Sequence, residues 1–256
     1  MMRPSNYHTH TVFCDGIDTP EALVREAIRL GCPELGFSGH SYTFFDESYC
    51  MSPAGTEAYK ADVRALRQKY AGEIRILLGV EQDYYSEAPT DDYDYVIGSV
   101  HYVKKDGCYF PVDESRELQL QAVAEHYGGD FYAFVEDYYR TVADVYDRTH
   151  CDIIGHFDLI MKFNDDGALF DPDHPRCRAA VLTALERLMQ TPAVFERNTG
   201  AIARGYRTQP YPAAWIRDEL HARGKCLLWS SDCHDKKDLL FGFDERQEPY
   251  GQLLQR

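Results

Sequence analysis

Short apolar runs alternate along the chain with longer stretches in which apolar residues recur every three or four positions. The runs predict seven strands, near residues 6–10, 34–38, 74–80, 94–100, 152–156, 193–198 and 226–231. The stretches between them predict amphipathic helices near 20–30, 54–70, 115–127, 131–148, 175–190 and 212–223. The first helix is the clearest. Thr19 caps it, Pro20 presets its first turn, Leu23, Val24, Ala27, Ile28 and Leu30 share a face, and Gly31 ends it. The last opens at Pro212, and the link from 81 to 94 is too short for a full helix. Strands and helices in alternation imply an α/β fold with a parallel sheet. No repeat and no Gly/Ser/Pro linker interrupts the pattern, so residues 1–256 read as a single domain, its tail beyond Asp235 carrying little signal.

Histidines and acids fall at the ends of these strands. His8 and His10, two residues apart, point the same way from an extended segment, and Asp15 follows in the next loop. His40 ends the second strand, Glu81 the third, His101 the fourth and His156 the fifth; Asp232 and His234 follow the seventh. A lone histidine at such a place is most simply a polar cap. Six histidines with interspersed carboxylates on one rim are metal-ligand chemistry, and a parallel barrel builds its site on that rim. His126, His150, His174 and His221 sit in or beside helices and read as surface residues.

Composition narrows the classes. The net charge of −15, from 27 basic and 42 acidic residues, argues against a nucleic-acid surface. The same charge would repel an anionic substrate unless bound cations reversed it locally. No apolar run is long enough to span a bilayer, and no apolar segment follows Met1-Met2-Arg3-Pro4, so a cytoplasmic protein is expected. The eight cysteines form no C-x-x-C pair and read mostly as small core residues. Cys14 and Cys233 flank proposed ligands and are candidates for a soft-metal contact.

The ordered set His8-Thr9-His10, Asp15-Gly16, Gly39-His40, Gly79-Val80-Glu81, Ser99-Val100-His101, Gly155-His156-Phe157-Asp158 and Ser230-Ser231-Asp232-Cys233-His234 resembles the polymerase and histidinol phosphatase (PHP) superfamily. Within it, Ser99-Val100-His101-Tyr102, Glu196-Arg197-Asn198-Thr199 and Pro210-Tyr211-Pro212 are similar to the histidinol-phosphate phosphatases. The resemblance implies a distorted, TIM-like (β/α)7 barrel with three divalent transition metals, zinc, iron or manganese, at the C-terminal ends of the strands. Carried over residue by residue, it implies that His8, His10, Glu81 and Asp232 hold one metal. Glu81, His101 and His156 hold a second, with Glu81 bridging, and Asp15, His40 and His234 hold the third.

A water activated between such metals would attack a small phosphomonoester. For the phosphoryl charge, Lys162 and Arg204 are the first candidates, with Arg197 and Arg207 in reserve. Arg197 departs from the apolar residue usual in the subfamily; it faces either the phosphate or a helix outside the sheet. Asp158 is either the acid that protonates the leaving alkoxide or a carboxylate that orients a histidine ligand. Tyr42-Thr43-Phe44-Phe45, Tyr109 and Phe110 either wall the pocket or pack among themselves. Other phosphomonoesters, such as a phosphotyrosine peptide or a sugar phosphate, are alternative substrates. An amidohydrolase-like C–N hydrolase is disfavoured because no lysine ends an early strand, and a non-catalytic metal-binding domain because the ligand set is complete.

Overall fold

The computed structural model describes residues 4–243; Met1-Met2-Arg3 and the tail beyond 243, over which the sequence reading extends, lie outside the described residues. Local signals place the elements. The Thr19 side chain accepts from the Ala22 amide to open α1 (Pro20–Leu30), and Gly31 closes it with a left-handed φ of 76°. Then come β1 (Glu34–Phe37), α2 (Pro53–Lys69), β2 (Arg75–Asp83), β3 (Tyr95–Ser99), β4 (Tyr102–Lys105), β5 (Cys108–Pro111), α3 (Arg116–His126) and α4 (Phe131–Thr149). The chain continues through β6 (Ile153–Ile154), α5 (Pro175–Leu188), β7 (Val194–Asn198), α6 (Gly200–Ala203), α7 (Ala214–Ala222) and β8 (Leu227–Ser230).

Six strands form one sheet in the order β1-β2-β3-β6-β7-β8, with every pairing parallel. Residues 6–10 touch both of its edges: Asn6 bridges Leu35 of β1, and Thr9 bridges Cys233 beyond β8. The result is an α/β fold with a curled parallel sheet. The expected strand over 6–10 is thus corrected to two isolated bridges. The reason lies in Asn6, whose Oδ1 accepts the His8 amide at 3.1 Å while its Nδ2 donates to Ser231 Oγ at 2.7 Å. A side chain there takes the place of a ladder partner.

Three further elements escape the apolar pattern. β4 and β5 form an antiparallel hairpin around Asp106 and Gly107, whose φ angles are 51° and 83°. An Asp-Gly pair with both residues left-handed is the preferred two-residue hairpin turn, so the signal was present in the sequence. α6 is one turn long, below what periodicity can detect. The helix expected from Pro212 begins two residues later, at Ala214.

Alternation along the strands divides the sheet into two faces. Leu35, Phe37, Ile76, Leu78, Val80, Val96, Phe195 and Leu227 face the helices and join the main core. On the inner face, Tyr7, Tyr95, Ile97, Ile153 and Leu228 form a second, smaller core. The same face carries Glu81, Ser99, Glu196, Ser230 and Asp232 further along the strands, so an apolar layer underlies a polar one. Tyr95 fills the space left by Gly36 and Gly79: a Cβ at Gly79 would lie 2.2 Å from the Tyr95 ring. Its hydroxyl donates to the carbonyl of Phe37 at 2.9 Å.

Candidate metal centre

The strand ends bring five of the six rim histidines around one buried carboxylate, and the sixth, His234, beside Asp15 and Asp232. Glu81, 1% exposed, lies inside β2, which runs on to Asp83 instead of stopping at Glu81 as the sequence pattern implied. Its Oε2 is 3.1 Å from His8 Nε2, 3.4 Å from His10 Nε2 and 3.0 Å from His40 Nδ1. Its Oε1 is 2.8 Å from His156 Nε2 and 3.3 Å from His101 Nε2, and accepts from Ser99 Oγ at 2.6 Å. Asp232 Oδ1 is 3.0 Å from His10 Nε2, and Asp15 Oδ2 is 3.0 Å from His234 Nε2.

Four overlapping groups have donor atoms close enough to share a cation: His8 with Glu81 and His156; His8 with His10 and Asp232; His40 with Glu81 and His101; and His10 with Asp15, His40 and His234. The donor chemistry fits a metal. His8 Nε2, His10 Nε2 and Glu81 Oε2 are buried beside one another, and none makes a hydrogen bond. Buried polar atoms without partners are costly, and a cation shared among them removes the cost. Mixed imidazole and carboxylate donors suit first-row transition metals.

Electrostatics tie the cluster together. Burial disfavours a charged His8, yet the carboxylates of Glu196, Glu81 and Asp232 outweigh it and raise the His8 pKa well above 6.5. Burial also opposes ionisation of Glu81, but His8, His40 and His101 hold its pKa well below the ordinary carboxylate value. His10 goes the other way: burial, with His234 and His40 nearby, lowers it to about 3 and keeps it neutral.

Two carboxylates behind the histidines, Asp83 and Glu196, had no role assigned from the sequence. His8 Nδ1 donates to Glu196 Oε2 at 2.8 Å, and His101 Nδ1 donates to Asp83 Oδ2 at 3.1 Å. Such contacts fix the tautomer that leaves Nε2 free to coordinate. Both were findable, because Asp83 is two residues past Glu81 on one strand and Glu196 has the same inward parity in β7.

A cavity of about 420 Å³ opens over the cluster and is lined by Lys162 and Arg204 among others. Arg204 donates to Asp232 Oδ2 at 3.1 Å and to His234 Nδ1 at 2.6 Å, and Lys162 donates to the Asp113 carbonyl at 2.7 Å. The other two arginines are elsewhere. Arg197, one residue from inward-facing Glu196, lies on the outer face with its guanidinium 4.0 Å from the Trp229 ring centroid. Arg207, 7% exposed, donates to the Met161 carbonyl at 2.8 Å and covers Tyr211. Neither lines the cavity.

Asp158 is fully buried and accepts from the Ala213 amide at 2.9 Å; it does not line the cavity, and no hydrogen bond joins it to a rim histidine. Burial raises its pKa against the pull of Arg207. Phe45 and Tyr109 stack on each other at 3.7 Å and do not line the cavity. Among the described residues the cysteines are free, and Cys14 Sγ is 3.6 Å from His10 Nδ1. No described helix is long and apolar enough to cross a membrane.

The curled α/β sheet and its overlapping histidine–carboxylate clusters define a metal-binding protein of the rim-site type. The chain belongs to the PHP domain family, whose model matches residues 6–200. It is 29% identical over 250 residues to a Deinococcus radiodurans protein named probable histidinol-phosphatase, covering 92% of this chain and 88% of that one. A Schizosaccharomyces pombe protein of the same name is 27% identical over 252 residues, covering 90% and 80%. The histidinol-phosphatase of Bacillus subtilis is 24% identical over 269 residues, covering 95% and 98%. Among solved structures, the histidinol phosphate phosphatase of Lactococcus lactis, complexed with zinc, L-histidinol and phosphate, has a TM-score of 0.65 at 21% identity, covering 92% and 88%. A Listeria monocytogenes structure reaches 0.75 at 21% identity, covering 93% and 98%. These two likenesses show the shared fold.

Proposed function

We propose that this protein is a metal-dependent phosphomonoesterase that hydrolyses L-histidinol phosphate to L-histidinol and phosphate, a step of histidine biosynthesis. The observation that carries the reading is Glu81, a buried carboxylate within 3.4 Å of five histidine nitrogens, at the base of a cavity with two cations on its wall. The names of the curated relatives and the ligands of the Lactococcus lactis structure support the substrate. Bridging of residues 6–10 to both sheet edges supports a distorted (β/α)7 barrel formed by one domain.

Three divalent cations, zinc, iron or manganese, are the reading of the overlapping groups, held by His8, His10, Asp15, His40, Glu81, His101, His156, Asp232 and His234. When bound, such cations supply a nucleophile from water at neutral pH and neutralise charge on the phosphoryl oxygens. Glu196 and Asp83 hold the His8 and His101 rings with Nε2 inward. Arg204 and Lys162 add positive charge at the wall, where it stabilises the transferring phosphoryl group. Asp158, enclosed and accepting from the Ala213 amide, is read as a buried carboxylate that supports the segment carrying His156, in preference to the proton donor.

The test is steady-state hydrolysis after loading with Zn²⁺, Mn²⁺ or Fe²⁺. Histidinol phosphate should exceed p-nitrophenyl phosphate in kcat/KM by about tenfold or more, since binding the organic part orients the ester. Turnover of other monoesters but not of histidinol phosphate would leave the metal chemistry and remove the substrate. Absence of all phosphatase activity after loading would overturn both.

A further inference from the structure

The clusters are not equivalent. Glu81, His8 and Asp232 have side chains 0%, 1% and 8% exposed, whereas Asp15 and His234 are 32% and 22% exposed. Anchorage differs too. Glu81 is fixed within β2, in register with Ile97 of β3, while Asp15 sits in the turn before α1 and His234 follows β8 in a loop.

The partners behind the histidines differ in sign. His8 and His101 each donate Nδ1–H to a carboxylate, which enriches the ring in electron density and strengthens it as a ligand. Among the described residues, His234 has no carboxylate oxygen within hydrogen-bond distance of Nδ1: that atom lies 2.6 Å from the guanidinium of Arg204 and 3.0 Å from the Asp232 backbone carbonyl. A fixed positive charge there withdraws density from the ring and repels any cation at the outer group.

We infer that the cation held by Asp15 and His234 is the exchangeable one, and that the groups built on Glu81 retain theirs. The inference rests on the metal-dependent reading above and adds a division of labour to it. The inner groups are resident, while the outer position fills and empties with the free cation concentration, so that activity follows supply of that cation.

Release kinetics test this. The protein is loaded with Zn²⁺, freed of excess, and mixed with a colorimetric chelator while liberated metal is followed in time. Wild type should give a fast phase and a slower one, separated by about tenfold or more, the scale on which contacts behind a ligand change metal affinity. Asp15→Asn should lose the fast phase and keep the slow one. Arg204→Gln should act in the opposite direction and slow the fast phase, an outcome that mere disruption of the loop would not produce. Release of all bound metal at one rate, or loss of the slow phase in Asp15→Asn, overturns this inference and leaves the phosphatase reading standing. Failure of wild type to bind Zn²⁺ overturns both.

Discussion

His8 and Glu196 are locked together by a 2.8 Å hydrogen bond from imidazole Nδ1 to carboxylate Oε2, with both side chains 1% exposed. Glu196 is held in turn by the His156 amide, by Asn198 Nδ2 at 2.9 Å and by Ser230 Oγ at 2.6 Å, so its position is over-determined. One carboxylate therefore fixes the orientation of two rim histidines, one through its ring and the other through its backbone. Glu196→Gln should keep the fold, checked by circular dichroism. Metal affinity should fall about ten- to a hundredfold, measured by competition with a chelator of known affinity.

Glu81→Gln removes the charge on which the inner groups converge. The variant should lose at least one metal equivalent by elemental analysis, and its turnover should fall by about a hundredfold or more. Wild-type metal content and rate in this variant would take Glu81 out of the centre.

The basic residues should separate into two kinds. Lys162→Ala and Arg204→Ala should each lower kcat/KM about ten- to a hundredfold, roughly 1.4–2.7 kcal/mol of transition-state stabilisation, without loss of metal. Arg204→Lys should also be impaired, because lysine lacks the planar fork. Arg197→Ala should leave kcat/KM within about threefold and act on stability, losing a cation–π contact of about 0.5–1 kcal/mol. Kinetics and thermal melts on the four variants distinguish these outcomes.

Metal binding should weaken toward acid pH. In the metal-free protein burial disfavours the charged His40, but Glu81 and Asp15 prevail and raise its pKa to about 9. A cation must then displace a proton from His40 at any pH below that value. Apparent affinity should therefore climb as pH rises toward about 9, with His8 and His101, where burial is likewise outweighed by neighbouring carboxylates that raise the pKa, adding to the proton release. His10, lowered to about 3, adds no proton to this release at neutral pH. Calorimetric titration with Mn²⁺ in two buffers of different ionisation enthalpy counts the protons; none released at about pH 7 would contradict the expectation.

Gly79→Ala tests the apolar layer beneath the site. The added Cβ would meet the Tyr95 ring at 2.2 Å, and Tyr95 is anchored by its hydroxyl. Overpacking of this kind costs about 1–3 kcal/mol, so the melting temperature should fall by several degrees.

The sequence carried the rim residues well because the period of a strand is two and ligands cannot leave that register. His40, His101 and His156 were legible from the glycines and apolar runs before them. The contacts that cross between strands were harder to see. Nothing local says that Glu196 reaches His8, 188 positions away in sequence. The fates of the arginines were partly legible: Arg197 alternates with Glu196 and so had to face outward once Glu196 faced in. Arg204 and Arg207 lie in irregular chain, where side-chain direction depends on α6 and its turn. The broken pairing of residues 6–10 was hidden for another reason, since it follows from what one asparagine side chain finds 225 residues later.

The apolar layer of Tyr7, Tyr95, Ile97, Ile153 and Leu228 has a consequence for traffic. It stoppers the inside of the curled sheet below the carboxylates, so whatever enters over the rim must depart by the same route. On the proposed reading, an ester bound with its phosphoryl group toward the carboxylate cluster would keep its organic group nearer the entrance. The alcohol would then leave before inorganic phosphate, and the next ester would wait behind it: a single mouth imposes an order of departure.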